Sequence, residues 1–206
     1  MTVKIYPKNK VEHSGNLRYY NKMKIALAAI MLFVTAACPG TSLRAENITD
    51  GRSRIMITLF SPAFKDGGKI PAKYTCKGEN VSPQLSWPPP PQGTKSFAIV
   101  CNDPDAPSGN WLHWIIFNIP AASRGLEEGV PKASSLDDGS MQGMNDSKGL
   151  GYDGPCPPSG THRYFFSIYA LDSMLELEAG ASLNQLNGAM KGHILAEGSL
   201  MGTFSR

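Results

Sequence analysis

Charge is sparse in this 206-residue chain: Asp, Glu, Lys and Arg together supply 18% of it. What there is of positive charge sits mostly at the front. Seven of the twenty Lys and Arg fall in residues 1–45, beside a single acid, Glu12. Residues 46–206 keep thirteen basic and sixteen acidic side chains. That excludes a broad nucleic-acid surface, because neutralising backbone phosphates needs clustered Lys and Arg. Cysteine is also scarce, at four residues, with no CxxC or Cys/His spacing of a zinc site. No apolar run is long enough to cross a bilayer, which takes about 20 residues. There is no internal repeat, and no βαβ alternation to suggest a nucleotide-binding α/β sheet. Glycine (21) and proline (16), by contrast, are plentiful. With 41% apolar residues the chain can bury a core, and its punctuation suits strands and turns.

The longest apolar stretch, Ile25 to Ala37, has thirteen residues and follows Lys22 and Lys24. As a helix it would span roughly 20 Å, so it reads as a secretory signal peptide. Cleavage is expected after Leu43-Arg44-Ala45, giving a leader over 1–45 and a domain over 46–206. Thr35-Ala36-Ala37-Cys38 offers an alternative lipoprotein exit through Cys38, the one route to a membrane. Met23 is a natural start for such a leader. A periplasmic or secreted protein is the expectation. Three cysteines then remain, Cys76, Cys101 and Cys156, and an odd number cannot pair fully. An oxidising compartment permits one disulfide among them; the plainer reading is three small buried side chains.

Along the domain, Arg54 to Phe60 alternates with Ile55, Ile57 and Leu59 on one face, as a half-buried strand does. Tyr74-Thr75-Cys76 is a further short strand. Phe97 to Cys101 is continuous and apolar, which fits a strand covered on both faces. Trp111 to Ile119 reads as a core strand closed by Pro120, and His162 to Leu171 as another. Residues 121–161 form a long polar, glycine-rich connection, the kind that is functional or mobile. Ser182 caps a helix carrying Leu183, Leu186 and Met190, with Gly198 as its stop and Leu200 to Phe204 as a final edge strand. The fold class is all-β, an antiparallel sandwich with one C-terminal helix and long loops.

Residues two apart on a strand point the same way, so Trp111 and His113 share a face, as do His162 and Tyr164. Each pair follows a proline-rich loop: Asp103-Pro104-Asp105-Ala106-Pro107, and Gly151 to Pro158. If the two loops meet, they enclose a pocket of imidazoles and a phenol, with glycine amides free to approach a ligand. Asp103 would hydrogen-bond an imidazole N–H and favour its charged form. Such a pocket suits a phosphate-like anion. Asp103-Pro104 and Ala106-Pro107 are candidates for cis bonds.

The stretches DPDAPSGNWLHWIIFNIP and GYDGPCPPSGTHRYFFSIYALD, with KYTCKGENVSPQLSW and QGMNDSKGLGYDGP, resemble the phosphatidylethanolamine-binding protein family. They are most similar to its bacterial Raf-kinase-inhibitor-like branch. The resemblance covers Arg54 to Arg206. It implies a β-sandwich with one small anion pocket formed by Asp103, Pro107, Trp111, His113, Gly154, His162 and Tyr164. It further implies binding of phosphate or a phosphorylated head group, with no cofactor and no catalysis. Relatives inhibit kinases or proteases, so an unidentified partner enzyme is the second expectation. Leu136 to Leu150 is then the candidate contact segment. A phospholipid head-group carrier or sensor is the alternative. The chain departs from eukaryotic members in two places. Their insertion before the tryptophan shrinks to Ser108-Gly109-Asn110, and no helix follows Phe204, which implies a more open pocket and argues against kinase regulation. Two other chemistries have the right residue types. Asp103, His113 and His162 could make a two-histidine, one-carboxylate metal set. Ser108, His113 and Asp103 contain the members of a hydrolase triad, but Ser108 lacks a Gly-x-Ser-x-Gly elbow.

Overall fold

The computed structural model of the chain describes residues 55–206, and the expected signal peptide, Cys38 and the Ala45 cleavage site lie outside the described residues. The strands are β1 (Ile55–Met56), β2 (Gly68–Lys69), β3 (Leu85–Ser86), β4 (Ser96–Asp103), β5 (Trp111–Pro120), β6 (Gly125–Leu126), β7 (Met141–Gln142), β8 (Thr161–Leu171) and β9 (Ile194–Ser205). One helix, α1 (Leu183–Met190), precedes the last strand. The main sheet runs β1-β9-β8-β4-β5-β7, with β2 also pairing β9, and β3 and β6 form a small second sheet. The long central strands β5, β4, β8 and β9 each run antiparallel to the next. The short β1 and β2 add to β9 in parallel.

The apolar runs of β4 and β5 have a physical reason: the sheet is covered on both faces. On one face Phe97, Ile99, Cys101, Trp114, Ile116 and Phe166 pack with Leu85, Trp87 and Leu126 of the small sheet and its flanking loops. On the other, Ala98, Val100, Leu112, Ile115 and Phe117 pack under Leu175, Leu186 and Met190. Alternation therefore sorts residues between two cores rather than between core and water. The helix is fixed by a capping box in which Ser182 and Gln185 each bond the other's backbone N–H.

Four local expectations are corrected. The helix ends at Met190, not at Gly198, because Gly192 at φ 86° turns the chain into β9. Gly198 lies within β9, where a Cβ would fall 1.7 Å from the Ile57 carbonyl oxygen; the neighbouring chain crosses too close for a side chain. β9 is not an edge, since β1 and β2 pair its far side. Tyr74 closes a 3₁₀ turn (Ala72–Tyr74) rather than a strand. At the front of the domain Ile57 and Leu59 are buried as expected, but Ile55 is exposed.

The connection from 121 to 161 is packed, not free. Gln142, Asn145, Ser140 and Tyr152 within it are buried. The Trp114 indole donates to Gln142 Oε1 at 2.8 Å, and the Gln142 amide donates to the carbonyls of Pro131 and Ala133. Of the expected contact segment, Ser140, Gln142, Gly143 and Asn145 are buried, leaving the Asp137–Gly139 tip, Met144 and Ser147-Lys148 exposed.

Candidate functional site

β5 and β8 flank β4 and both run antiparallel to it, so the end of β4 and the starts of β5 and β8 lie at one end of the sheet. Asp103 ends β4 opposite Trp111, which begins β5. The two proline-rich loops leave from the same end and meet there. Between them is a cleft of about 370 Å³. Its lining comes from Asp103, Ala106, Pro107 and Ser108 on the first loop and from Trp111 and His113 on β5. Asp153, Gly154, Cys156, Pro157 and Pro158 on the second loop, Ser147, and His162 at the start of β8 complete it.

A bulge aims the first histidine. The β4–β5 register steps from Cys101↔Trp114 to Asn102↔Leu112, leaving His113 as the extra residue. Leu112 turns to the helix-side core, whereas His113 and Trp114 both face the opposite core. His113 meets Tyr164 edge-on at 5.2 Å, and Trp114 meets Tyr152 at 5.7 Å. Bulges commonly re-aim a side chain beside a site in this way.

Each imidazole is anchored through Nδ1. His113 Nδ1 lies 2.6 Å from the Asp153 carbonyl oxygen, and the Asp153 N–H donates back to the His113 carbonyl at 2.9 Å. A carbonyl only accepts, so Nδ1 of His113 carries the proton. His162 Nδ1 lies 2.7 Å from Asp103 Oδ2, whose other oxygen accepts the Asp105 N–H at 2.8 Å. The expected bond from an imidazole to Asp103 is therefore present, and its donor is His162. Neither Nε2 has a protein partner among the described residues. Burial holds the His113 pKa below its usual 6.5, against the pull of Asp153, Asp103 and Asp146.

The second loop is clamped from behind. Cys76 and Cys156 form a disulfide with Cα atoms 5.4 Å apart, and the Cys76 N–H donates to the Pro155 carbonyl at 3.1 Å. The third cysteine, Cys101, is a buried free thiol that burial pushes up in pKa. Asn80 donates to Asp153 Oδ1 at 3.2 Å and accepts the Gly154 N–H at 2.6 Å. The Ser147 hydroxyl donates to the other Asp153 oxygen.

Six of the seven expected residues line the cleft: Asp103, Pro107, Trp111, His113, Gly154 and His162. Tyr164 does not. It is fully buried beneath them, and its hydroxyl has no hydrogen bond of ordinary geometry. Burial, then the nearby Asp103 carboxylate, pushes its pKa far up. The expected role of the Gly154 amide is also corrected, since Asn80 already holds that N–H. The glycine is required by packing instead: a Cβ there would lie 2.3 Å from the Tyr74 carbonyl oxygen. Asp105 stays outside the lining. Arg163 grips it through Nε at 2.8 Å and a second nitrogen at 2.7 Å, which holds its pKa down at about 2 and fixes the first loop to β8. Neither expected cis peptide is present; every described peptide bond is trans. Asn80, Ser147 and Asp153 were not singled out by the sequence reading. Asn80 and Ser147 had no signal beyond membership of the two shorter stretches of family likeness, whereas Asp153 lies in the second proline-rich loop itself.

Residues 60–205 match the family described as phosphatidylethanolamine-binding protein. An uncharacterised UPF0098 protein of Methanothermobacter thermautotrophicus is 59% identical over 150 residues, covering 73% of this chain and 99% of that one. Among solved structures, the chain is similar to CT736 of Chlamydia trachomatis, described as a phosphatidylethanolamine-binding protein homolog. That likeness has a TM-score of 0.68 at 40% identity and covers 73% of this chain and 98% of that one. E. coli YbcL, described as a new member of the mammalian family, gives a TM-score of 0.68 at 30% identity with the same coverage.

Proposed function

Because the chain belongs to the phosphatidylethanolamine-binding protein family, we propose that its cleft binds a small phosphate-like anion without turning it over. The observation that carries this is the pair of imidazoles. Both line one cleft, both have Nδ1 fixed by a protein acceptor, and both keep Nε2 unpartnered among the described residues. Once protonated, each ring presents an N–H at Nε2 to whatever occupies the cleft. A volume near 370 Å³ suits a phosphate or a phosphorylated head group rather than a lipid with its chains. Prolines 107, 157 and 158 stiffen the walls and lower the entropy lost on binding.

Binding rather than hydrolysis is supported by the hydroxyls. His162 and Asp103 form a carboxylate–imidazole pair like that of a triad. Yet among the described residues no serine hydroxyl bonds to either cleft imidazole, and Ser147 donates to Asp153 instead. The proposal extends to export: a disulfide that clamps the site persists best in an oxidising compartment.

The test is calorimetric titration with phosphate, acetate and phosphoethanolamine near pH 6, followed by a crystal soaked in phosphate. Expected is one site, with an oxyanion within hydrogen-bond reach of the His113 and His162 Nε2 atoms. Absence of heat with all three, together with a cleft that stays free of anion in the soaked crystal, would refute the proposal.

A further inference from the structure

We propose, resting on the anion reading above, that the cleft selects oxyanions that retain a hydroxyl proton, as inorganic phosphate does, over oxyanions that carry none, such as sulfate. The argument is a count of donors and acceptors. The protein acceptors at Nδ1 commit the only proton of each neutral imidazole, so both Nε2 atoms offer lone pairs. No Lys or Arg is among the residues lining the cleft. Arg163, beside His162 in sequence, is engaged by both oxygens of Asp105. Part of the backbone lining is closed to an anion as well. Pro107, Pro157 and Pro158 have no N–H, the Gly154 N–H goes to Asn80, and the Asp153 N–H goes to the His113 carbonyl.

The carboxylates around the rings repel an incoming anion; they also favour a charged imidazole, but at His113 burial outweighs them and holds the pKa below its usual value. Asp153, Asp103 and Asp146 face His113, and Asp103 and Asp105 face His162. An incoming anion therefore meets two imidazole acceptors inside a ring of carboxylates. The neutral donors left among the lining side chains are the Trp111 indole and the Ser108 hydroxyl. Sulfate has no proton to offer either Nε2, so it leaves both ring acceptors unmatched unless a ring first takes up a proton. Phosphate can hand its own hydroxyl proton to one Nε2 as a hydrogen bond while its other oxygens accept from Trp111 and Ser108. Sites built to accept from a ligand hydroxyl reject analogues lacking it far more strongly than apolar pockets reject a change of size.

The experiment is titration of the wild-type protein with inorganic phosphate and with sulfate at matched ionic strength. It is run near pH 7.5 and near pH 5, each in two buffers of different ionisation heat to read proton uptake. Near pH 7.5, sulfate is expected to bind at least about tenfold more weakly than phosphate. Its binding takes up about one proton or more, and the gap narrows near pH 5 as the His113 ring charges. Equal affinity of the two anions near pH 7.5 overturns the selectivity and leaves the anion site standing. Failure of both to bind at either pH overturns the anion reading itself, and the selectivity with it.

Discussion

At the scale of single residues, the site depends on which atoms are already occupied. His113 illustrates it: one nitrogen is held by the Asp153 carbonyl, and the ring is buried against Tyr164. Replacing it by alanine removes one of two Nε2 contacts and leaves the half-buried Asp153 carbonyl without its donor. His113→Ala is expected to weaken phosphate binding by about tenfold or more in titration, with a loss of roughly 1–3 kcal/mol in denaturant melts. The pH dependence follows from the same burial. The folded ring has a lowered pKa, so below about 6.5 the unfolded chain binds a proton there that the folded chain does not. Free of ligand, the protein should therefore lose stability as pH falls from 6.5 toward the folded value, and gain nothing from this group above it. Melting curves from pH 5 to 8 would show it, and His113→Phe should flatten that part of the slope. Gly154→Ala is a purely steric test. Its Cβ would lie 2.3 Å from the Tyr74 carbonyl, so a loss of about 1–3 kcal/mol is expected, with weaker anion binding as the second loop is pushed away. Of these residues His113 and His162 stood out in the sequence, because strands and proline-rich loops frame them. Asn80 did not, because its partners Asp153 and Gly154 lie more than seventy residues away.

At the scale of elements, two devices hold the cleft. One is the bulge in β5, which no pattern of alternation reveals, since the strand is buried along nearly its whole length. The other is the disulfide, which closes 80 residues and fastens the second loop to the turn after Tyr74. Removing it as Cys76→Ala/Cys156→Ala should lower stability by about 2–4 kcal/mol. Phosphate affinity should fall as well, because Pro157 and Pro158 are then free to move off the cleft. A double variant that binds phosphate as the wild type does would show that the hydrogen bonds to Asp153, Gly154 and Pro155 position the loop without the disulfide. The helix offers a control remote from the site. Ser182→Ala breaks the capping box and should cost about 1 kcal/mol, while leaving phosphate titrations unchanged.

At the scale of the whole molecule, the sequence by itself determined the layered character of the protein. Three long apolar or alternating runs named β4, β5 and β8 nearly to the residue, and Ser182 named the start of the helix. Side-chain period and turn chemistry are local properties, so they survive in a linear reading. So does the composition of the two proline-rich loops, which pointed to a site between them. What only the tertiary structure decided is everything that depends on long-range pairing. Among the described residues, three instances carry the point. Cys156 takes Cys76 and leaves Cys101 buried; β1 and β2 close the far side of β9 and make Gly198 a strand residue; Tyr164 drops out of the lining while Asn80 and Asp153 enter the site's hydrogen bonding. The physical reason is common to all three. A residue's partner across the fold is chosen by register and by the shape of facing layers, and neither is written in the residue's own neighbourhood along the chain.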